Sequence, residues 1–205
     1  MSGSPIERQP PQSRIGNVAA AIALGDWSRP AGEDKAKFGK SDHERSSRNL
    51  RLLGRLFDET LIVGGPLEIK GPGRHVADRE GPSCALRDIV AALEAASKDR
   101  VIMVAAELAL FEADWLLALT AWPEADAVVL VDDEGEVPLI AIYRREVCLG
   151  IARRRLDSNE LSLGEFLAEL DAARVTLAAL GLGASHSALF VTAEKPHELD
   201  CLGDH

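Results

Sequence analysis

The sequence predicts an α/β protein: a three-layer α/β/α, Rossmann-like domain whose sheet is mostly parallel, with one antiparallel strand. Three observations lead there. Apolar runs too continuous for half-exposed strands recur, as in "IGNVAAAIAL" (15–24) and "RVIMVAAEL" (100–108), and such runs mark parallel strands covered on both faces. Between the runs lie stretches with apolar residues at helical spacing, and strands alternating with helices imply βαβ units. The turn "DEGEVP" between "ADAVVLVD" (125–132) and "LIAIYRR" (139–145) makes one antiparallel hairpin.

The elements follow in order. The start, "MSGSPIERQPPQSR" (1–14), is rich in Pro, Ser and Gln and reads as a disordered tail, leaving 15–205 as a single domain. After the first strand and an opening loop, "DHERSSRNLRLLGRLF" (42–57) sets Leu50, Leu53 and Phe57 on one helical face, opposite its arginines. "ETLIVGG" (59–65) is a second strand closed by glycines, and a Gly- and Pro-rich loop runs to residue 85. An amphipathic helix (86–99) leads to the third strand at 100–108. A helix at 112–122 ends before Pro123, and the hairpin follows. Helices are expected at 146–156 and 162–173, with Ser162 as N-cap and Glu165 three residues on. "ALFVTA" (188–193) is a last strand, and "KPHELDCL" a closing helical turn.

Composition narrows the function. With 205 residues, 46% hydrophobic and 27% charged, the chain is an ordinary globular protein of one domain. Only 4% of residues are aromatic, so the core must rest on Ala, Val, Leu and Ile. The net charge of −10 argues against nucleic acid or an anionic membrane as partner. Residues 1–60 nevertheless carry ten Lys/Arg against eight Asp/Glu, while the remainder carries thirteen against twenty-five. A locally basic opening in an acidic protein suits a small anion. Cys84, Cys148 and Cys201 show no CxxC spacing and cannot all pair, which suggests buried thiols in a reduced compartment. No segment approaches about 20 apolar residues, and the start lacks a signal-peptide core. The expected location is cytoplasmic. His43, His75, His186, His197 and His205 lack ligand spacing and read as surface or packing residues.

In sheets of this kind ligands bind beyond the carboxyl ends of the strands, near the switch in strand order. The loops that matter are therefore 25–40, 64–85, 106–111 and 193–196. The first of them, "GDWSRPAGEDKAKFGK", holds glycines, a proline and four basic residues. It lacks the GxGxxG of a dinucleotide fold. Gly39, Lys40 and Ser41 mimic the end of a Walker A loop, but Asp34 stands where that loop needs its first glycine.

The stretch does resemble the phosphate loop of the molybdenum cofactor guanylyltransferases, within the larger nucleotide-diphospho-sugar transferase superfamily. That family opens with a strand and LAGGxSxRMGxDK. Alignment on Asp34 and Lys35 sets Gly25, Ser28 and Gly32 on the loop's glycines and serine. "HVADREGP" (75–82) resembles the family's V-x-D stretch, "VIMVAAEL" its ACDMPF strand, "VPLIAIYRR" its PLCALYRR segment, and "LFVTAEKPHEL" its C-terminal FxNVNTPEDL. The similarity spans about residues 15–202.

What the resemblance implies is a nucleotidyltransferase, moving GMP or CMP from an NTP to a phosphorylated acceptor such as molybdopterin cofactor. Lys35, with Arg29 as auxiliary, would be catalytic. Gly25, Ser28, Gly32, Lys35 and Asp78 would bind the nucleotide, and Glu107 would hold Mg²⁺, a hard ion suited to carboxylate and phosphate oxygens. Trp27 reads as an anchor packing the loop onto the core, and Glu194 as a further candidate metal carboxylate. Several positions depart from the family pattern: Asp26 replaces the second glycine, Pro30 the arginine, Glu107 the aspartate, Ala109 the proline, and Thr192 and Glu194 two asparagines. Asp26, Pro30, Glu107 and Thr192 sustain a second reading, a non-catalytic binding or regulatory module that pairs with an active homologue or a molybdoenzyme maturation partner; a homo-oligomer is the other expected assembly.

Overall fold

A computed structural model of the chain describes residues 14–24, 40–64, 69, 71–77, 84–106, 113–132 and 135–181. Within them lie seven strands and five helices: β1 (Ile15–Ala23), α1 (Lys40–Leu56), β2 (Phe57–Val63), β3 (Arg74–Val76), α2 (Ala85–Ala95), β4 (Arg100–Ala105), α3 (Ala113–Thr120), β5 (Ala127–Asp132), β6 (Gly135–Arg144), α4 (Arg145–Asp157), α5 (Leu163–Ala168) and β7 (Ala172–Thr176). The strands form one sheet in the order β3-β2-β1-β4-β6-β5-β7. β6 runs antiparallel to both its neighbours, β4 and β5, and every other described pairing is parallel. The fold is thus the expected three-layer α/β/α arrangement with one antiparallel strand.

The apolar run of β1 has its explanation in the layers. Val18 through Ala23 are all 0% exposed. Alternate residues serve opposite faces: Val18, Ala20 and Ile22 join Leu50, Leu53 and Leu56 of α1 and Trp115, Leu116 and Leu119 of α3. Ala19, Ala21 and Ala23 join Leu86, Ile89, Val90 and Leu93 of α2, Cys148 and Ala152 of α4, and Phe166 and Leu167 of α5. Alanines on the central strand let both helical layers close in on it, since packing density leaves no room for larger groups. The few aromatics carry more of the core than their number suggests. Trp115, Tyr143, Phe57 and Phe166 are its largest fully buried side chains, and the Tyr143 and Phe166 rings meet at 5.9 Å between centroids.

Local chemistry fixes the ends. Gly64 closes β2 with φ 69°, and Gly135 opens β6 with φ 134°, both conformations that glycine adopts without a side-chain clash. The expected hairpin is present, with Asp132 paired to Gly135. Ser162 caps α5, its Oγ accepting from the Glu165 N–H at 3.3 Å. Ser162→Ala is expected to cost about 1 kcal/mol in urea unfolding, with Ser162→Asp close to neutral. Arg155, 4% exposed, ties α4 to α5 through Glu160, Glu165 and Glu169. Burial would lower its pKa, and the hydrogen bonds it donates to Glu169 and Glu165 more than reverse that.

Some boundaries and two strands depart from expectation. Phe57 begins β2 instead of ending α1, and α2 stops at Ala95 instead of 99. The loop after β2 contains β3. The helix expected over 162–173 ends at Ala168 and gives way to β7. β7 is the far edge strand of the described sheet and buries only Val175, so it carries little apolar signal. Cys84 and Cys148 are buried thiols outside any disulfide, as expected. No helix among the described residues is long and apolar enough to cross a membrane. The tail at 1–13, the strand at 188–193, the turn after it and Cys201 lie outside the described residues.

Candidate functional site at the carboxyl edge of the sheet

The strand order reverses beside β1. From β1 the chain passes through α1 on one face to β2 and then β3, all on one side. It returns through α2 on the other face to β4, on the opposite side of β1. Each of α1, α2 and α3 links the carboxyl end of one parallel strand to the amino end of the next. Their amino termini, the positive ends of the helix dipoles, therefore lie at the carboxyl edge.

The backbone draws four strand ends together there. Past the end of β1, the Leu24 N–H donates to the Val63 carbonyl at 2.9 Å. On the other flank the Ala106 N–H donates to the Ala23 carbonyl, also at 2.9 Å. Val76 of β3 stands level with Val63. The ends of β1, β2, β3 and β4 thus stand side by side at one switch point, the setting in which doubly wound sheets bind ligands.

The expected site residues belong to these exits by sequence. Gly25, Ser28, Arg29, Gly32 and Lys35 lie between β1 and α1, Asp78 lies two residues beyond Val76, and Glu107 directly follows Ala106. All seven, with Asp26, Trp27, Pro30, Ala109, Thr192 and Glu194, fall outside the described residues. What the structure brings together is the set of strand ends that deliver them. Among the described residues no group of three or more His, Cys, Asp or Glu could hold a metal ion. Glu107, the residue expected to hold Mg²⁺, lies outside them.

Three titratable groups of the described residues, Tyr143 and Cys148 buried and Arg100 half-buried, gather at the opposite edge. Burial lowers the pKa of Arg100, at the start of β4, and raises that of Tyr143, near the end of β6. It pushes the Cys148 thiol up to about 12. That thiol donates to the Asp126 carbonyl at 3.1 Å, just before β5. These groups serve packing.

One feature of the scaffold beneath the carboxyl edge, on the flank of β2, has no counterpart in the sequence expectations. Between β2 and β3, Ile69, Gly71 and Pro72 are seated against α1. Ile69 is 2% exposed in the α1-side core, and its carbonyl lies 3.2 Å from Nε2 of His75. Pro72 covers Gly54 so closely that a Cβ at Gly54 would stand 2.5 Å from its Cγ. A glycine inside a helix costs about 1 kcal/mol relative to alanine, and here the occupied space accounts for it. The signal was a lone glycine in an otherwise strong helical pattern.

A family model described as the MobA-like NTP transferase domain matches residues 20–174, well over half of the chain. The chain belongs to the MobA-like NTP transferase family. The match opens inside β1 and closes inside β7, so it takes in all seven described strands. Among curated relatives, a probable molybdenum cofactor guanylyltransferase of Opitutus terrae is 28% identical over 160 residues, covering 75% of this chain and 79% of that one. A second protein of the same description, from Chloroflexus aggregans, is 28% identical over 145 residues, covering 66% and 70%. Two solved structures share the fold. Molybdopterin-guanine dinucleotide biosynthesis protein A from Archaeoglobus fulgidus superposes with a TM-score of 0.64 at 15% identity, covering 88% of this chain and 94% of its own. The 2-C-methyl-D-erythritol 4-phosphate cytidylyltransferase of Thermus thermophilus gives 0.54 at 16% identity, covering 87% and 97%. For a MobA-like NTP transferase the switch point beside β1 is the candidate nucleotide site.

Proposed function

We propose that this chain is a nucleotidyltransferase that moves GMP from GTP to a phosphorylated acceptor of the molybdopterin type. An acceptor phosphate oxygen attacks the α-phosphorus, a new P–O bond forms, the α–β anhydride bond breaks, and pyrophosphate leaves. Family membership across the whole described sheet carries this reading, and the names of the two curated relatives supply the guanylyl group and the acceptor. CTP is the alternative donor.

Such a transfer asks little covalent help of the protein. It needs the triphosphate held, the charge growing on the leaving group neutralised, and the nucleophile placed in line. Gly25, Ser28 and Gly32 would shape the phosphate loop. Lys35, with Arg29 beside it, would face the phosphates, Asp78 would contact the nucleotide, and Glu107 would hold the divalent ion. Bound Mg²⁺ would supply charge neutralisation on the phosphate oxygens.

The test is pyrophosphate release from the purified chain given Mg²⁺, a molybdopterin acceptor and either GTP or CTP. Release that requires the acceptor and prefers GTP is the expected result. If neither nucleotide at millimolar concentration raises the melting temperature, the proposal fails. Stabilisation by GTP without turnover would favour the binding module, the reading supported by Asp26, Pro30, Glu107 and Thr192.

A further inference from the structure

β3 is three residues long and exposed or half-buried throughout, yet it delivers the chain to the carboxyl edge beside β2. Three backbone pairings with little buried side-chain surface specify register weakly. A slip of one residue would move the exit after Val76 by about 3.3 Å and turn each side chain to the other face. Its own side chains give one anchor, the Arg74 guanidinium that donates to the Ala95 carbonyl at 2.7 Å; a second anchor lies in the turn before it.

The Gly71-Pro72-Gly73 turn before β3 is fitted to its surroundings at three successive points. A Cβ at Gly71 would lie 3.0 Å from Cβ of Leu50, and one at Gly73 would lie 3.2 Å from Cγ1 of Ile62 and 3.3 Å from the Thr60 carbonyl. Between them the Pro72 ring occupies the space left by Gly54, where a Cβ would meet Cγ at 2.5 Å and Cβ at 2.7 Å. Neither Gly71 nor Gly73 has a positive φ. Room, not backbone conformation, requires glycine there. A proline ring is rigid, so it cannot fold away from an added methyl group as a long side chain would.

We propose that Gly54 is a positioning residue for nucleotide selection: by receiving Pro72 it sets the register of β3 on β2, and so the place where the chain leaves β3 beside the nucleoside triphosphate. This rests on the nucleotidyltransferase reading above. A shift of about 1 Å in a substrate-positioning segment can cost about 100-fold; at one remove from the substrate, a smaller loss is expected.

The experiment compares wild type, Gly54→Ala, Pro72→Gly and the double variant by steady-state kinetics with GTP and by hydrogen exchange at the amides of Arg74–Val76. Gly54→Ala should raise KM for GTP about tenfold, on the scale of such displacements, with kcat within about twofold, and should speed β3 exchange. In the Pro72→Gly background, where the ring is gone, adding Gly54→Ala should change neither quantity. A Gly54→Ala variant matching wild type in both readouts overturns the proposal, as does an equal KM loss in both Pro72 backgrounds. Should Gly54→Ala fail to fold, Pro72→Gly alone decides. Emptying the seat must raise KM and speed β3 exchange, and unchanged values overturn the proposal. A wild-type chain that neither binds nor turns over any NTP is a separate outcome. It sinks the nucleotidyltransferase reading and the role in nucleotide selection together, while β3 exchange still shows whether the seat holds the strand.

Discussion

Trp115→Ala is expected to lose about 3–5 kcal/mol of unfolding free energy and to lower Tm by roughly 10 °C. Trp115 is 0% exposed and ranks first by volume among the fully buried side chains. It lies on α3, an eight-residue helix whose other buried residues are Leu116 and Leu119. Three side chains thus seat that helix on the sheet beside Val104, Ile140 and Ile142. Truncation removes the transfer free energy of the indole and leaves a cavity that a sheet and a helix cannot both collapse into. Trp115→Phe should retain much of the stability, because most of the apolar area stays in place. Urea denaturation of the three proteins is the measurement. A loss below about 1 kcal/mol for Trp115→Ala would mean that α3 is not held by this residue.

Elements buried on two sides were the easiest to read from the sequence. β1 and β4 show continuous apolar runs because helices cover both faces, and α1 and α2 show apolar stripes because each covers one. β3 left no trace: three residues with no buried side chain make no pattern. β7 was hidden for a different reason. Leu163, Phe166, Leu167 and Leu170 are all buried and continue a helical spacing past the point where the helix ends. The true break is tertiary, since the Asp171 carbonyl accepts from the N–H groups of Asp126 and Ala127 and draws the chain into the sheet beside β5.

Site legibility followed other rules. Periodicity could place the loops at strand ends but could not say which side chain faces a phosphate. That expectation rests on the resemblance of Gly25, Ser28, Gly32 and Lys35 to a family motif, and these residues lie outside the described ones. Gly54 was missed because its reason is a proline eighteen residues on, which no local window contains.

Lys35→Ala should lower kcat/KM for the NTP by about 100- to 1000-fold, which is about 3–4 kcal/mol of transition-state stabilisation, and leave Tm within a few degrees. Lys35 lies in the segment that leaves β1 at Leu24, whose N–H is bonded to the Val63 carbonyl at the switch point. In the proposed reaction, a cation delivered there would meet a triphosphate whose charge shifts onto the departing pyrophosphate as the α–β bond breaks. Its interaction strengthens toward the transition state, so the loss should fall on kcat as well as KM. Lys37→Ala, two residues on in the same charged run, is the control for a general loss of basic charge and should stay within about twofold, because no position of the family motif falls on it. Lys35→Arg keeps the charge but replaces a compact ammonium with a planar fork, and should recover only part of the activity. If Lys35→Ala destabilises the fold as much as it impairs turnover, the lysine is structural. If it does neither while Arg29→Ala abolishes binding, the neutralising cation is Arg29, and the loop meets the phosphates through its first half.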